Sequence, residues 1–522
     1  MSRDLVLGLD SSTQSLTAVV LDAATLAPVA QLAVNFDADL PHYGTKHGVL
    51  PHPDPTIVHA PPLMWVEALE LLLTRLAAQV ELGRVRLIAG SAQQHGSVYL
   101  GAGFTPALAG LRTDASLVDQ LRGVFTRATA PVWLDSSTSE DCRALDAAVG
   151  GSERMTELTG SPACERFTGP QIRRFARTEP TAWAATTEVR LVSSFLASLL
   201  IGRPAPTDHG DASGTNLLGL EQRQWLPAAT AAIASDLAQR LAPAVPSATV
   251  LGALSPAIAR RFGFAPDTLA LAWSGDNPCS AVGLGLGADG DGALSLGTSD
   301  TCFVLSAARP ATPPGGHVFI APTGDHLALL CFANGSLARE AVRDRFALSW
   351  DGFTAGLAAT APGNQGRLLL PWFRPEIAPR IAKAGAVPHG LSESDAPAWC
   401  RAVVEGQFLS LRLRLAGAGL KLTQLRATGG AAANPAILQI AADVLQVPVR
   451  RSRVTNTAAL GAALRAAHAW RARGADPLAW GAVAAIAAEP LLAPAVQPDA
   501  ATAAVYAKAT VVYRALERQH GG

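Results

Sequence analysis

The sequence predicts two α/β domains built on mixed sheets. Three observations carry that expectation. The chain has 522 residues, more than one hydrophobic core organises, since cores stop growing at about 250–300 residues. Strand-like apolar runs alternate with helical patterns, which builds sheets covered by helices. A hairpin of one design occurs twice, about half a chain apart.

The first hairpin joins the apolar run 5–9 to the β-rich run 16–22 through the polar turn Asp10-Ser11-Ser12-Thr13-Gln14. The second joins 293–296 to 301–305 through Gly297-Thr298-Ser299-Asp300. Both turns carry small hydroxyls and one carboxylate, residues suited to tight turns. After Pro61-Pro62, the positions Leu63, Val66, Leu69, Leu73, Leu76 and Val80 recur at helical spacing, and residues 85–90 read as a buried strand. Asn434 and Pro435 are the N-cap and first position of a helix carrying Ile437, Ile440, Val444 and Leu445. Asn456 is expected to cap a further helix that Gly474 ends. Residues 243–256 are rich in Pro, Ala, Ser and Gly, the composition of a linker. The domains are therefore expected to span 1–253 and 254–522.

Composition excludes several classes of function. Lys plus Arg and Asp plus Glu number 42 each, so neither nucleic acid nor an anionic membrane is an expected partner. The excess of Arg over Lys reads as a GC-rich genome and not as a basic patch. Cys142, Cys164, Cys279, Cys302, Cys331 and Cys400 form no CxxC pair, which speaks against a zinc ribbon or redox motif and for a reducing compartment. The first residues run directly into a strand and lack the apolar core of a signal peptide. The charge-free stretch 478–488 is far shorter than the roughly 20 residues of a membrane helix. A cytoplasmic protein without membrane contact is expected.

Neither GxxxxGK[ST] nor a convincing GxGxxG is present. Phosphates would have to be held by other means, and hairpin turns full of hydroxyls and free N–H groups are one. Asp10 can then hold Mg²⁺ through water, since Mg²⁺ keeps most of its hydration shell. Asp276, in Trp273-Ser274-Gly275-Asp276-Asn277-Pro278, stands just before a helix expected from Pro278. That position favours the carboxylate anion, the form that can accept a proton from a ligand hydroxyl. The Gly429-Gly430 pair lets a flat ligand such as adenine approach the backbone.

Six motifs occur in order: Asp10-Ser-Ser-Thr-Gln14, Gln93-Gln94-His95-Gly96, Trp133-Leu-Asp135, Gly275-Asp276-Asn277-Pro278, Ser295-Leu-Gly-Thr-Ser299 and Thr428-Gly-Gly-Ala431. Together they resemble the FGGY carbohydrate kinases, from about residue 5 to about 470. The longer stretches Phe36-Asp-Ala-Asp-Leu-Pro41, Val132-Trp-Leu-Asp-Ser-Ser-Thr138, Glu165-Arg-Phe-Thr-Gly169 and Leu191-Val-Ser-Ser-Phe195 are similar to the branch that phosphorylates D-xylulose, in its animal form.

The resemblance implies two actin-like (ribonuclease H-like) ATPase domains with an interdomain cleft. It implies ATP and Mg²⁺ as cofactors, D-xylulose as the small-molecule partner, and a monomer or homodimer. Asp276 is then the catalytic base, and His95, Arg166, Asp276 and Asn277 line the sugar site. Asp10, Ser12, Thr13, Gly297, Thr298 and Ser299 face the phosphates. Gly429, Gly430 and Asn434 (or its neighbour Ala433) hold the nucleotide, with Trp350 in contact. Many bacterial relatives carry Arg two residues beyond the Asp of the Trp-x-Asp motif. This chain has Ser137 there, and Arg166 is expected to supply the guanidinium. Alternative acceptors are ribulose, fuculose, gluconate and glycerol. An alternative of another class is a non-catalytic actin-fold sensor.

Overall fold

The computed structural model describes residues 4–475 and 477–521. They form two compact units. One comprises Met1–Gly287, Phe319–Gly324 and Thr455–Ala487, and the other comprises Ala288–Val318, Asp325–Val454 and Ala488–Gly522.

The first unit is built on a twisted sheet whose centre is the first hairpin. Strand β1 (Leu5–Ser11) pairs antiparallel with β2 (Ser15–Asp22), which pairs with β3 (Pro28–Asn35). Helix α1 (Pro62–Ala77) leads to β4 (Val85–Ala92), which lies parallel to β1 on its other side. Further along come β5 (Val250–Ala253), β6 (Leu269–Leu271) and β7 (Ser274–Gly275), the last two parallel to β4. The strand order is β5-β6-β4-β1-β2-β3, with β7 beside β4. Alternation on β1 decides what covers each face. Leu5, Leu7 and Leu9 pack with Met64, Trp65, Leu69 and Leu73 of α1. Val6 points the other way, into a second apolar cluster. The short helix α2 (Thr168–Thr178) follows Arg166-Phe167, and α3 (Asp276–Gly283) follows β7 directly.

The second unit repeats the design. Strand β8 (Asp291–Leu296) forms the second hairpin with β9 (Asp300–Ser306). Strands β10 (Gly316–Ile320) and β11 (His326–Phe332) extend that side. Helices α4 (Ser336–Arg345), α5 (Trp350–Ala358) and α6 (Ala396–Gly417) precede β12 (Gln424–Thr428), which runs parallel to β8. Helix α7 (Pro435–Leu445) leads to β13 (Val449–Arg451), parallel to β12. The order is β10-β11-β9-β8-β12-β13. In both sheets the hairpin and the strands beyond it lie on one side, and strands parallel to the hairpin's first strand lie on the other, where the first sheet ends in antiparallel β5.

The chain then returns to the first unit. Helix α8 (Thr457–Arg471) covers the sheet face opposite α1, where Ala459, Ala463, Leu464, Ala466 and Ala467 meet Val6, Val19 and Leu87. The approach is close. A Cβ on Gly8 would lie 2.2 Å from the Ala463 nitrogen, and one on Gly461 would lie 1.8 Å from the Cys279 carbonyl oxygen.

Several local expectations are corrected. The segment read as a linker contains β5, which pairs with β6, so a division at 253/254 falls inside the first unit. Asp300 opens β9 and is not part of the turn. The helix expected from Pro278 begins at Asp276. Asn434 caps α7 through its side chain, but Asn456 has φ 49° and makes no such bond. Helix α8 ends at Arg471, with Ala472 as its cap, ahead of Gly474. No helix among the described residues is long and apolar enough to cross a membrane.

Candidate active site

In the first unit the polar residues gather beyond the carboxyl ends of the parallel strands, where open α/β sheets bind ligands. Asp10 and Ser11 end β1, Gln93-Gln94-His95 follow β4, and Asp276 follows β7. The register places Asp10 beside Ser91, and Ser91 beside Ser274.

Asp276 is the first residue of α3. Its Oδ1 accepts hydrogen bonds from the Asn277 backbone N–H (2.8 Å), Asn277 Nδ2 (3.1 Å) and the Gln94 N–H (3.3 Å). Asn277 Nδ2 also donates to Gln94 Oε1 at 2.8 Å, and Gln94 Nε2 donates to the Gly210 carbonyl at 3.3 Å. Gly275 allows this packing, because a Cβ there would meet Gln94 Cγ at 2.3 Å. Burial pushes the Asp276 carboxyl up to about 6, with the Asn277 and Gln94 N–H groups pulling the other way. The group is an anion at neutral pH and a usable proton acceptor.

His95 sits at φ 74°, a conformation that costs energy for a non-glycine residue and clusters at functional sites. Three contacts hold it there. Its Nδ1–H donates to the Gly214 carbonyl (2.6 Å), Thr168 Oγ1 donates to its carbonyl (3.0 Å), and its ring stacks on Phe167 with centroids 4.2 Å apart. Arg166, half-buried, immediately precedes Phe167 in the loop before α2. Asp135 is buried and accepts from Ser137 Oγ (2.6 Å), the Ser137 N–H (3.0 Å) and Gln171 Nε2 (2.7 Å). Ser137 thus braces Asp135.

In the second unit, Gly297-Thr298-Ser299 follow β8 and Gly429-Gly430 follow the parallel strand β12. Around them opens a cleft of about 1260 Å³, its solvent-open mouth included. Gly297, Thr298, Trp350, Gly430, Ala433 and Asn434 line it. Gly429 has φ 89°, and a Cβ on it would lie 2.6 Å from the Leu296 carbonyl oxygen. Only glycine fits there, so β8 and β12 can end side by side under the cleft. Asn434 Oδ1 caps α7, and its Nδ2 donates to Thr354 Oγ1 at 2.8 Å. Trp350 presents an exposed ring, braced from below by the Arg343 guanidinium 4.6 Å away. The dimensions and shelf suit a nucleotide.

Known proteins carry the same design. Residues 107–283 match the FGGY family of carbohydrate kinases, N-terminal domain, and residues 292–470 match its C-terminal domain. The chain belongs to the FGGY family of carbohydrate kinases. It is 41% identical to the xylulose kinase of Rattus norvegicus, over 99% of this chain and 97% of that protein. The crystal structure of xylulose kinase from Bifidobacterium adolescentis superposes with a TM-score of 0.77 at 26% identity, covering 97% of this chain and 99% of that one. A gluconate kinase from Lactobacillus acidophilus shares the fold, with a TM-score of 0.80 at 18% identity over 99% and 98% of the two chains.

The kinase fold also fits a divalent cation at Asp10. This carboxylate is 8% exposed, and its Oδ1 has no hydrogen-bond partner, nor does the hydroxyl of Ser11. Burial and the neighbouring Asp276 carboxylate push Asp10 up to about 7, a cost that a cation would remove. One carboxylate among hydroxyls suits a hard ion that keeps its water. No group of three or more His, Cys, Asp or Glu among the described residues is arranged to hold a bare ion. In the same turn, Ser12 Oγ donates to the Ser15 carbonyl at 3.0 Å, and Thr13 Oγ1 accepts from Trp133 Nε1 at 2.8 Å.

Sequence reasoning did not single out Gln94, although it lies inside a motif already noticed. It also missed Arg339, which lines the cleft and makes a buried ion pair with Asp300 (3.1 Å). An arginine on an amphipathic helix carries no local mark of such a role.

Proposed function

We propose that this kinase transfers the γ-phosphoryl group of ATP to D-xylulose, giving D-xylulose 5-phosphate and ADP. The observation that carries the reading is Asp276, a half-buried carboxylate at a helix start, fixed by three N–H donors beside His95 and Asn277. The high identity with rat xylulose kinase over almost the whole of both chains supports the sugar. Asp276 takes the proton of the attacking hydroxyl as the oxygen meets the γ-phosphorus. His95, Asn277 and Arg166 orient the ketose. Gly297, Thr298, Gly430 and Trp350 seat the nucleotide on the second unit, with Gly429 and Asn434 shaping the shelf. Ser12, Thr13 and Ser299 set the backbone of the two phosphate-facing turns. Mg²⁺ arriving with ATP would neutralise phosphate charge, and Asp10 with Ser11 and Ser91 would hold it through water. Because phosphoryl transfer asks little covalent chemistry of a protein, positioning and charge supply most of the rate. We place the enzyme in the cytoplasm, as monomer or homodimer.

The test is coupled ADP release with Mg-ATP and D-xylulose, alongside ribulose, fuculose, gluconate and glycerol. Stimulation by D-xylulose above the others is expected. A preference for another acceptor replaces the sugar and keeps the kinase. ADP release that no sugar accelerates overturns the reading. Asp276→Asn should lower kcat by about 10²–10⁴-fold while D-xylulose still binds.

A further inference from the structure

One fully buried cation of the first unit has no part in the chemistry described so far. Arg465, in the middle of α8, is 1% exposed. Its Nη1 donates to the Gly90 carbonyl at 2.9 Å and contacts Cys279 Sγ at 3.5 Å. Its Nη2 donates to the carbonyls of Ser247 (2.9 Å) and Ala272 (2.6 Å), and lies 4.0 Å from Asp208 Oδ2. Only Nε lacks a partner. A desolvated guanidinium spread over three carbonyls, a thiol and one carboxylate is costly to bury unless its fork matches the donor geometry demanded of it.

The identity of those carbonyls points to a purpose. Gly90 is four residues before Gln94, on β4. Ala272 is four residues before Asp276, and Cys279 is three residues after it, one turn into α3. Gln94 and Asp276 are themselves joined by the hydrogen bond between the Gln94 N–H and Asp276 Oδ1. One side chain therefore ties the two segments that meet at the base, and does so from behind, where no substrate reaches. The Cys279 thiol is pushed up to about 11 by burial, so it serves as a neutral partner and not as a nucleophile.

We propose that Arg465 is a positioning residue: it locks β4, the segment before β7, and α3 in the register that sets Asp276 against Gln94. The proposal rests on Asp276 being the base. A fixed base matters because a misplacement of about 1 Å can cost about 10²-fold in rate.

The test uses the full chain with Arg465→Lys, which keeps the charge but loses the planar fork, and with Asp276→Asn as reference. We expect kcat of Arg465→Lys to fall about tenfold or more, with the KM for Mg-ATP unchanged and the stoichiometry of D-xylulose binding by calorimetry still one per chain. A kcat within about twofold of wild type overturns the proposal. So does a fall in kcat matched by an equal fall in binding stoichiometry, since that reports only lost folded protein. If Arg465→Lys does not fold, Cys279→Ala decides: it removes the thiol through which Arg465 holds α3, along with its packing on Ala458 and Ala462, and unchanged kcat overturns the proposal. Near-normal turnover of Asp276→Asn would instead overturn the base assignment itself, so the two failures are distinguishable.

Discussion

Burial holds the Asp276 carboxyl near 6 and Asp10 near 7, against an ordinary value of 3.8. For Asp276 the kinetic sign is simple, because only the anion accepts a proton. Turnover should rise with pH through about 6 and then level, and a kcat flat down to pH 5 would sink the assignment. The sign for stability is the opposite. A carboxyl whose folded pKa is raised favours the folded state at pH below 4, and that contribution is lost as pH rises through 6–7. Asp276→Asn should therefore melt higher than wild type at pH 8, by on the order of 3 kcal/mol, and equally at pH 4. A lower melting temperature at pH 8 would contradict the burial argument. His95 is held at φ 74° by its stack and by Gly214. We expect His95→Ala to raise the KM for D-xylulose about tenfold or more, with the KM for Mg-ATP unmoved. Asp276 and His95 were legible because Gly-Asp-Asn-Pro and Gln-Gln-His-Gly are local words. Arg465 was not, since its backbone partners lie 193 to 375 residues away and leave no trace in its neighbourhood.

The two hairpins are the elements on which the polar cluster of the first unit and the cleft of the second hang, and both hairpins were legible. Their turn residues and flanking apolar runs are local, and local chemistry fixes a hairpin. The segment 243–256 was misread for the converse reason. Its strand exists only because residues 269–271 pair with it, and composition does not show a partner. At β8 and β12, Gly429 keeps the two strand ends together under the cleft of the second unit. Gly429→Ala adds a Cβ 2.6 Å from a carbonyl oxygen at φ 89°. The KM for Mg-ATP should rise about tenfold, with that for the sugar unchanged, in steady-state kinetics. A second close approach joins α8 to α3. Gly461→Ala would put a Cβ 1.8 Å from the Cys279 carbonyl oxygen and should destabilise by about 2 kcal/mol or more. Gly474→Ala is the control: its nearest neighbour would be 3.6 Å away, and it should stay within about 0.5 kcal/mol. Equal melting temperatures for the two would refute the packing argument.

At the scale of the molecule, the duplicated sheet was foreseen and the division between its halves was not. The first unit is assembled from three stretches of chain, and no stretch of Pro and Gly can mark a boundary that the chain crosses more than once. What completes that unit is α8, whose alanines cover Val6, Val19 and Leu87. A truncation at residue 287 should thus expose this sheet face. We expect it to bind a hydrophobic dye and aggregate where the full chain does not, and a monomeric, cooperatively melting fragment would disprove the point. The same dependence acts during biosynthesis. Ribosomes add about 5–20 residues per second, so roughly 20 to 90 s separate the emergence of β1 from that of Arg471. Through that interval the nascent sheet has one lined face and one bare one. Two of the three stretches of the second unit, Ala288–Val318 and Asp325–Val454, are made while the first still waits for α8. Chaperone demand in the cell should accordingly peak before the final fifty or so residues are translated, and slow codons placed ahead of α8 would lower the yield of active enzyme more than the same codons placed after it.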